Sequence, residues 1–240
     1  MKTRYVATTL LTAMLVWQPA SAQIYAADAA IDYVNSGMMT QSISSVTQQM
    51  ALESSAKQGQ PSPTPELRAL RYARSDAVAA QVRADLVEQL AASDPAQKPA
   101  LRTALSNDAI WQAFSDMLAR KGCDSRNVAD VTAAYYVSAW EIINDRQASA
   151  THLQAVRDQL TRVLVAQPRL SGYSDQDKQQ AAEAMGLRIA LAGAADRQLA
   201  RRGDRQARQE LQKMLYASVL DEGVDLKAVR LSSDGFSRDD

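Results

Sequence analysis

The sequence predicts a mainly α-helical protein, a bundle of helices around a buried aromatic central helix. Apolar residues recur at helical spacing along most of the chain after residue 66. Nine glycines and seven prolines in 240 residues, with abundant Ala, Gln and Arg, favour helices over sheets. Residues 127–144 are apolar on more than one side, which is typical of a helix enclosed by its neighbours.

The first 22 residues have the pattern of a secretory signal peptide. Lys2 and Arg4 precede the uncharged stretch Val6–Trp17, and Ala20-Ser21-Ala22 is a small-x-small cleavage pattern. A helix of that stretch spans about 18 Å, short of the roughly 30 Å of a bilayer's hydrocarbon core, so a retained membrane anchor is the less favoured alternative. We expect cleavage between Ala22 and Gln23, no stable membrane insertion afterwards, and a periplasmic or secreted protein.

Prolines divide the remaining chain into an arm and a main domain. Residues 57–65 hold three of the seven prolines and no large apolar side chain, which predicts an extended linker. Residues 23–56 precede it with a weak helical stripe of Ile43, Val46 and Met50, which predicts a helical or mobile arm. Residues 66–240 are expected to form the helical main domain.

The first long helices of the main domain are predicted from their apolar spacing. Apolar residues recur at every fourth position from Val78 to Leu90, and Ser75 or Asp76 is placed to cap the start of this helix. Ile110 to Leu118 form the next stripe, which contains Trp111 and Phe114 as expected core residues and ends near Gly122.

The segment Asn127–Asn144 is predicted to be the central helix, with Tyr136 and Trp140 as core residues. Asn127 and Asp130 lie three residues apart at its start, and this spacing favours a capping role for both. The alternative makes Asp130 a catalytic or ligand-binding acid beside Tyr135 or Trp140. Capping is preferred because it requires only the observed spacing.

Three further helices and a small sheet complete the prediction. Apolar stripes predict helices from Leu153 to Leu164, from a capping Ser174 to Gly203, and from Asp204 to Gly223. Residues 67–72 and 227–231 are either irregular or helical turns, or they pair as a two-stranded β-patch that joins the two ends of the domain. In the second case Phe236 would turn back onto the helices.

Two separated blocks of residues resemble an uncharacterised family of exported bacterial proteins that carry a domain of unknown function. The first block is Asn127-Val-Ala-Asp130 with Tyr136 and Trp140, and the second runs from Gly223-Val-Asp-Leu to Gly235-Phe236. The resemblance covers roughly Leu67 to Phe236 and implies a signal peptide followed by a mostly helical domain. It implies no activity, substrate or catalytic residue, and Cys123 stands where the family pattern leads us to expect an apolar residue.

Composition and motifs argue against several classes of function. Equal numbers of basic and acidic residues, 27 each, argue against a nucleic-acid-binding protein. One cysteine excludes an intramolecular disulfide, and one histidine with one cysteine leaves no zinc-binding pattern, so we expect no metal and no cofactor. Gly186 and Gly193 lie within a helical pattern and form no phosphate-binding loop.

The remaining candidates for a functional site are weak. Cys123 and His152 could in principle act as a nucleophile–base pair, but one such combination is expected by chance in a chain of this length. An exported free thiol could instead form an intermolecular disulfide bridge. Several arginines cluster around Gly203, among them Arg201, Arg202 and Arg205. They form either a binding surface for an acidic partner or a solvated helix corner in which neighbouring acidic residues compensate their charge.

Three classes of function stay open on the sequence. We favour an exported, non-enzymatic module that binds a protein partner, with oligomeric state undetermined; an inhibitor or effector associated with secretion fits the same location. The main alternative is a small exported hydrolase that uses Asp130 or His152. A helical carrier of a small ligand is the third, and it requires an apolar cavity between helices.

Overall fold

A computed structural model describes residues 65–92, 95–167 and 172–238, and it confirms the mainly helical fold. The predicted signal peptide, the arm and the linker up to residue 64 lie outside the described residues. The described elements are α1 Pro65–Ala69, α2 Asp76–Leu90, a 3₁₀ turn Pro95–Gln97, α3 Lys98–Ala104, α4 Ala109–Arg120, α5 Val128–Asn144, α6 Ala150–Val165, α7 Asp175–Arg202, α8 Arg205–Asp221, β1 Val229–Ser232 and β2 Gly235–Arg238.

Helix α5 is the centre of the fold. Fourteen of its 17 residues are buried, and the other three, Ser138, Glu141 and Asn144, are half-buried polar residues spaced three apart on one side. Helices α6, α7 and α8 pack around it, and α2 and α4 pack against α7. Tyr136 and Trp140 are buried within this core, together with Trp111 and Phe114 of α4.

Side chains that satisfy free backbone groups mark several helix starts. Asn127 caps α5 by accepting a hydrogen bond from the Ala129 N–H at 2.9 Å. Ser174 and Asp177 form a reciprocal capping box at the start of α7. Ser75 stands at the start of α2, as the sequence predicts, but its side chain makes no capping hydrogen bond.

A small two-stranded sheet is present, as the fold prediction allowed, but it is a hairpin of β1 and β2 and not the alternative pairing of residues 67–72 with residues 227–231. Leu231 pairs with Phe236 in an antiparallel register. Residues 67–72 do not join it, because Pro65–Ala69 is a short helix and Arg71 forms an isolated bridge with Asn127. Adjacent antiparallel strands need only a short turn, so the local hairpin prevails over a pairing of distant segments.

The hairpin is fastened to α6 by one buried side chain. The Gln159 amide donates to the carbonyl of Phe236 at 2.9 Å and accepts from its N–H at 2.8 Å. Phe236 itself is buried in the main core, although the pairing of distant segments under which the sequence led us to expect this does not form. The C-terminal strands therefore belong to the bundle through both apolar packing and hydrogen bonds.

The C-terminal part of α7 and the first half of α8 extend beyond the main core. A separate small cluster of Ala195, Leu199 and Leu211 holds these two helices together. Gly203 ends α7 and allows the chain to reverse into α8. In the described ranges, no helix combines the length and the apolar character needed to cross a membrane.

Candidate functional site

Asp130, the predicted alternative catalytic acid, holds the loop before α5. Its carboxylate accepts a hydrogen bond from the Asp124 N–H at 2.6 Å. Asp130 therefore bonds to a residue that precedes the N-cap Asn127, and not to the N-cap itself. Burial raises the pKa of Asp130 to about 6, against the opposing effect of that hydrogen bond. The hydroxyl of Tyr135 does not bond to Asp130 but to a different acid, Glu222.

His152 and Cys123 lie in separate local contacts. His152 forms a capping box with Ser149: its Nδ1 accepts from the Ser149 N–H at 3.2 Å, and its own N–H donates to the Ser149 hydroxyl. The Cys123 thiol donates weakly to the carbonyl of Lys121. Burial raises the pKa of this thiol to about 11, which keeps it protonated and unreactive at neutral pH.

A buried polar cluster that the sequence did not reveal lies between α5 and the end of α8. Glu222 accepts hydrogen bonds from Tyr135 at 2.9 Å and from Tyr136 at 3.1 Å. Arg188 of α7 is also buried and adds a compensating positive charge. All four side chains are enclosed, so we assign the cluster to cohesion of the core and not to a site open to a ligand.

The buried carboxyl of Glu222 should make stability depend on pH. Burial raises its pKa to about 7, whereas an unfolded chain titrates this group near 4.3. The folded state keeps the proton longer, so its contribution is present at low pH and is lost as the pH rises from about 4.3 to about 7.

We therefore expect Glu222→Gln to reduce the loss of unfolding free energy between pH 5 and pH 8 by about 1–3 kcal/mol. Urea denaturation at both pH values measures it. The exposed Asp234 supplies the control, since it is not among the charges that shift the pKa of Glu222 and Asp234→Asn should keep the dependence of the unchanged chain. An equal pH dependence in Glu222→Gln and the unchanged protein would contradict this assignment.

A second buried network joins the start of α2 to the middle of α7. The Arg74 Nε lies 2.7 Å from Oε1 of Glu183, and its Nη2 lies 2.9 Å from Oδ2 of Asp108. Gln179 bonds both the N–H and the carbonyl of Ser75 and also donates to Glu183 at 2.8 Å. Most of these groups are bonded to one another or to the backbone, which indicates a structural role, although Oε2 of Glu183 is buried without a hydrogen-bond partner.

One large concavity is built by several helices, and we call it the α4–α7 groove. It has a volume of about 580 Å³ and is lined by one face each of α4, α5 and α7, by the loop after α5, and by Arg208 of α8. Its apolar lining residues are Ala109, Ile110, Ala113, Phe114, Met117, Ile142, Ile189, Ala190, Gly193 and Ala194. A second concavity of about 590 Å³ is lined by six residues of the single segment 95–106, so it is not a site shared between helices.

Charged side chains rim the α4–α7 groove. Arg208 makes ion pairs with Asp196 and Asp145, both at 2.6 Å, and Glu141 accepts from the Ala148 N–H at 2.7 Å. Arg146 and Arg197 also line the rim, and neither forms an ion pair with another described residue. The three acids are thus paired with Arg208 or bonded to the backbone, whereas no described acid pairs with Arg146 or Arg197.

The arginines Arg201, Arg202 and Arg205 lie outside this groove. All three are exposed at the turn between α7 and α8, and none of them forms an ion pair with a described residue. Of the arginines around Gly203, only Arg197 and Arg208 reach the groove. No group of three or more potential metal ligands occurs in the described ranges.

Helical periodicity alone could not reveal the groove. It shows that Ile110, Met117 and Ile189 have apolar neighbours at helical spacing, but it does not show which face of each helix stays uncovered. The one local signal of the groove is the run of small residues Ala190, Gly193 and Ala194, whose short side chains leave space beside α7.

The comparisons with known proteins give a family and no activity. A family model, described as a family of unknown function (DUF6683), matches residues 1–238, which is nearly the whole chain. This confirms the resemblance to a family of unknown function. Neither a curated protein nor a solved structure matches the chain.

Proposed function

Since the chain belongs to DUF6683, a family of unknown function, we propose from its own geometry that it is an exported, non-enzymatic protein-interaction module. Its ligand is an amphipathic helical segment of a protein partner, which binds in the α4–α7 groove. The observation that carries the proposal is the groove itself, which is lined by apolar residues of three helices and by several charged side chains. Export is supported by the N-terminal pattern of Lys2, Arg4 and Ala20-Ser21-Ala22.

The lining of the groove suits a helix. Ile110, Met117 and Ile189 supply apolar contacts for residues spaced at i, i+3, i+4 and i+7 on one face of a partner helix. Ala190 and Gly193 have short side chains or none, which lets a partner backbone come close to α7. Burial of such a stripe yields roughly 25 cal/mol for each Å² of apolar surface removed from water.

The rim favours acidic residues beside the apolar stripe of the partner. Arg197 lies over the groove, since its Nη1 would be 3.2 Å from a Cβ added to Gly193. Arg146 lies at the α5 side. Charge complementarity of this kind mainly determines specificity and the rate of association.

The position of the titratable groups makes a hydrolase the less favoured alternative. Asp130, His152 and Cys123 are held in backbone or capping contacts away from the groove lining. Within the groove, Asp145 and Asp196 are paired with Arg208. A nucleophile adjacent to an oriented base, the usual arrangement for hydrolysis, has no counterpart among these contacts.

Site-specific photo-crosslinking in the producing cells tests this proposal with a matched pair of positions. Ala113 and Ala119 are both exposed alanines of α4, but only Ala113 lines the groove. A photoreactive residue at position 113 should give a discrete adduct with one partner, and the same residue at position 119 should not.

Charge reversal then tests the rim. Arg197→Glu should lower the yield of the position-113 adduct several-fold, and Arg201→Glu, an exposed arginine outside the groove, should leave it unchanged. Equal adducts from positions 113 and 119 would overturn the groove as the binding site. Turnover of a cell-envelope substrate by the purified protein, abolished in a folded Asp130→Asn variant, would overturn the non-enzymatic role.

A further inference from the structure

We propose that, without a partner, the α4–α7 groove is occupied by a segment of the same chain, residues 43–52 of the N-terminal arm. The arm then acts as a built-in competitor that a partner helix must displace. This inference rests on the proposed function, because it takes the groove to be a helix-binding site. It adds a mode of regulation that the groove alone does not require.

The arm has the chemistry that the groove selects. Ile43, Val46 and Met50 are spaced so that a helix would place them on one face. Residues 23–56 contain Asp28, Asp32 and Glu53 and no lysine or arginine. Residues 43–52 themselves carry no charged side chain, so their stripe matches the apolar lining of the groove, and Glu53 directly after them is the nearest acid for the two arginines.

The groove also offers the arm half-buried apolar residues of two helices, α4 and α7, on one concave surface. Leu220 is the one large hydrophobic side chain of the described residues that is exposed. Ile110 and Met117, by contrast, are half-buried at the groove, where an added stripe would cover them. Contiguous apolar surface of this kind is usually covered in the functional state.

The linker is long enough to bring the arm to the groove. The Val128 N–H donates to the carbonyl of Leu70 at 3.0 Å, so the main domain begins beside the start of α5. Ser138 and Ile142, which line the groove, lie about 15–21 Å further along that helix. Residues 53–64 can span about 37 Å in an extended, proline-rich conformation, which leaves length to pass around the bundle.

Tethering makes even weak binding effective. A segment joined by a short linker has an effective concentration in the millimolar range, so a modest intrinsic affinity suffices to fill the groove. The partner would then bind only the fraction of molecules whose groove is open, and its apparent affinity would fall in proportion. Loss of the arm's stripe should therefore raise partner binding.

Chemical crosslinking of the purified full chain tests the occupant directly. In a Cys123→Ser background, Thr47→Cys is combined with either Ala113→Cys in the groove or Ala119→Cys outside it, and a short bismaleimide is added. We expect several-fold more crosslinked product from the 47–113 pair than from the 47–119 pair, at the mass of one chain and independent of protein concentration. Val46→Asp, on the stripe, should abolish this preference, and Gln48→Asp, on the opposite side of a helix, should preserve it.

Each alternative result overturns the inference. Equal or absent crosslinking of the two pairs places the arm elsewhere, and product at twice the chain mass identifies a second copy as the occupant. The photo-crosslinking at position 113 reports separately on the proposed function. A partner adduct without the intramolecular product refutes only the arm, whereas an intramolecular product without any partner adduct refutes only the partner-binding role.

Discussion

Replacement of Arg74 by alanine is expected to lower the free energy of unfolding by about 3–5 kcal/mol. The substitution leaves the Glu183 carboxylate, whose side chain is fully buried, without its cationic partner. Asp108 loses one of its two arginine partners and keeps Arg83. Removal of one member of a buried pair costs more than the pair contributes, because an uncompensated charge stays in the interior.

The pH dependence of this loss provides an independent check. Burial raises the pKa of Glu183, and the hydrogen bond from Arg74 opposes that rise. Without Arg74 the pKa of Glu183 rises further, so the carboxyl can take up a proton at low pH and escape part of the penalty. Urea denaturation should therefore give a larger loss at pH 8 than at pH 5.

Two controls define the outcome for Arg74. Lys98→Ala removes an exposed pair with Glu88 and should cost less than about 1 kcal/mol. Arg74→Met combined with Glu183→Leu removes both charges and should recover much of the stability lost by Arg74→Ala. A loss for Arg74→Ala no greater than that for Lys98→Ala would contradict the structural role of this network.

Gly235→Ala is expected to lower the free energy of unfolding by about 3 kcal/mol and to release the β1–β2 hairpin from α6. Gly235 has a φ of 103°, which L-residues rarely adopt, and an added Cβ would overlap the Gln159 amide. Displacement of Gln159 breaks its two buried hydrogen bonds to Phe236, each with a net value of about 1 kcal/mol. Backbone strain adds about 1–2 kcal/mol.

A matched glycine and a double-mutant cycle separate these two causes. Gly203 has a φ of 68° with no atoms within 4 Å of an added Cβ, so Gly203→Ala should cost only the strain, about 1–2 kcal/mol. In a Gln159→Ala background, the cost of Gly235→Ala should fall to a similar value. An undiminished cost in that background would show that the Gln159 contact is not the cause. Hydrogen exchange of the hairpin amides reports whether the strands detach.

Local chemistry in the sequence was sufficient to predict most of the helices. The capping residues Asn127 and Ser174 and the apolar stripe after Ser75 each act within a few positions, so they predict where a helix begins without any knowledge of the fold. The enclosed character of α5 also follows from its predominantly apolar sequence. The limits of the predicted domains and the signal peptide stay predictions.

Contacts between distant segments could not be predicted in the same way. Glu222 appears in the sequence as one more acid near a helix end, and only the packing of α8 against α5 brings it to two tyrosines. Arg74 and Glu183 are 109 positions apart, and their pairing depends on how α2 lies across α7. A small two-stranded sheet is present as expected, but the partner strand considered for it, residues 67–72, is wrong, since composition alone does not choose between a neighbouring and a distant strand.

The position of Glu222 also affects the order in which the polypeptide can fold as it is synthesised. Tyr135 and Tyr136 leave the ribosome 87 and 86 residues before the carboxylate to which their hydroxyls bond. At about 5–20 residues per second, translation alone delays this partner by roughly 4–17 s. During that interval the two tyrosine hydroxyls can bond only to water or to other groups, so the buried polar cluster forms after most of the chain has been synthesised.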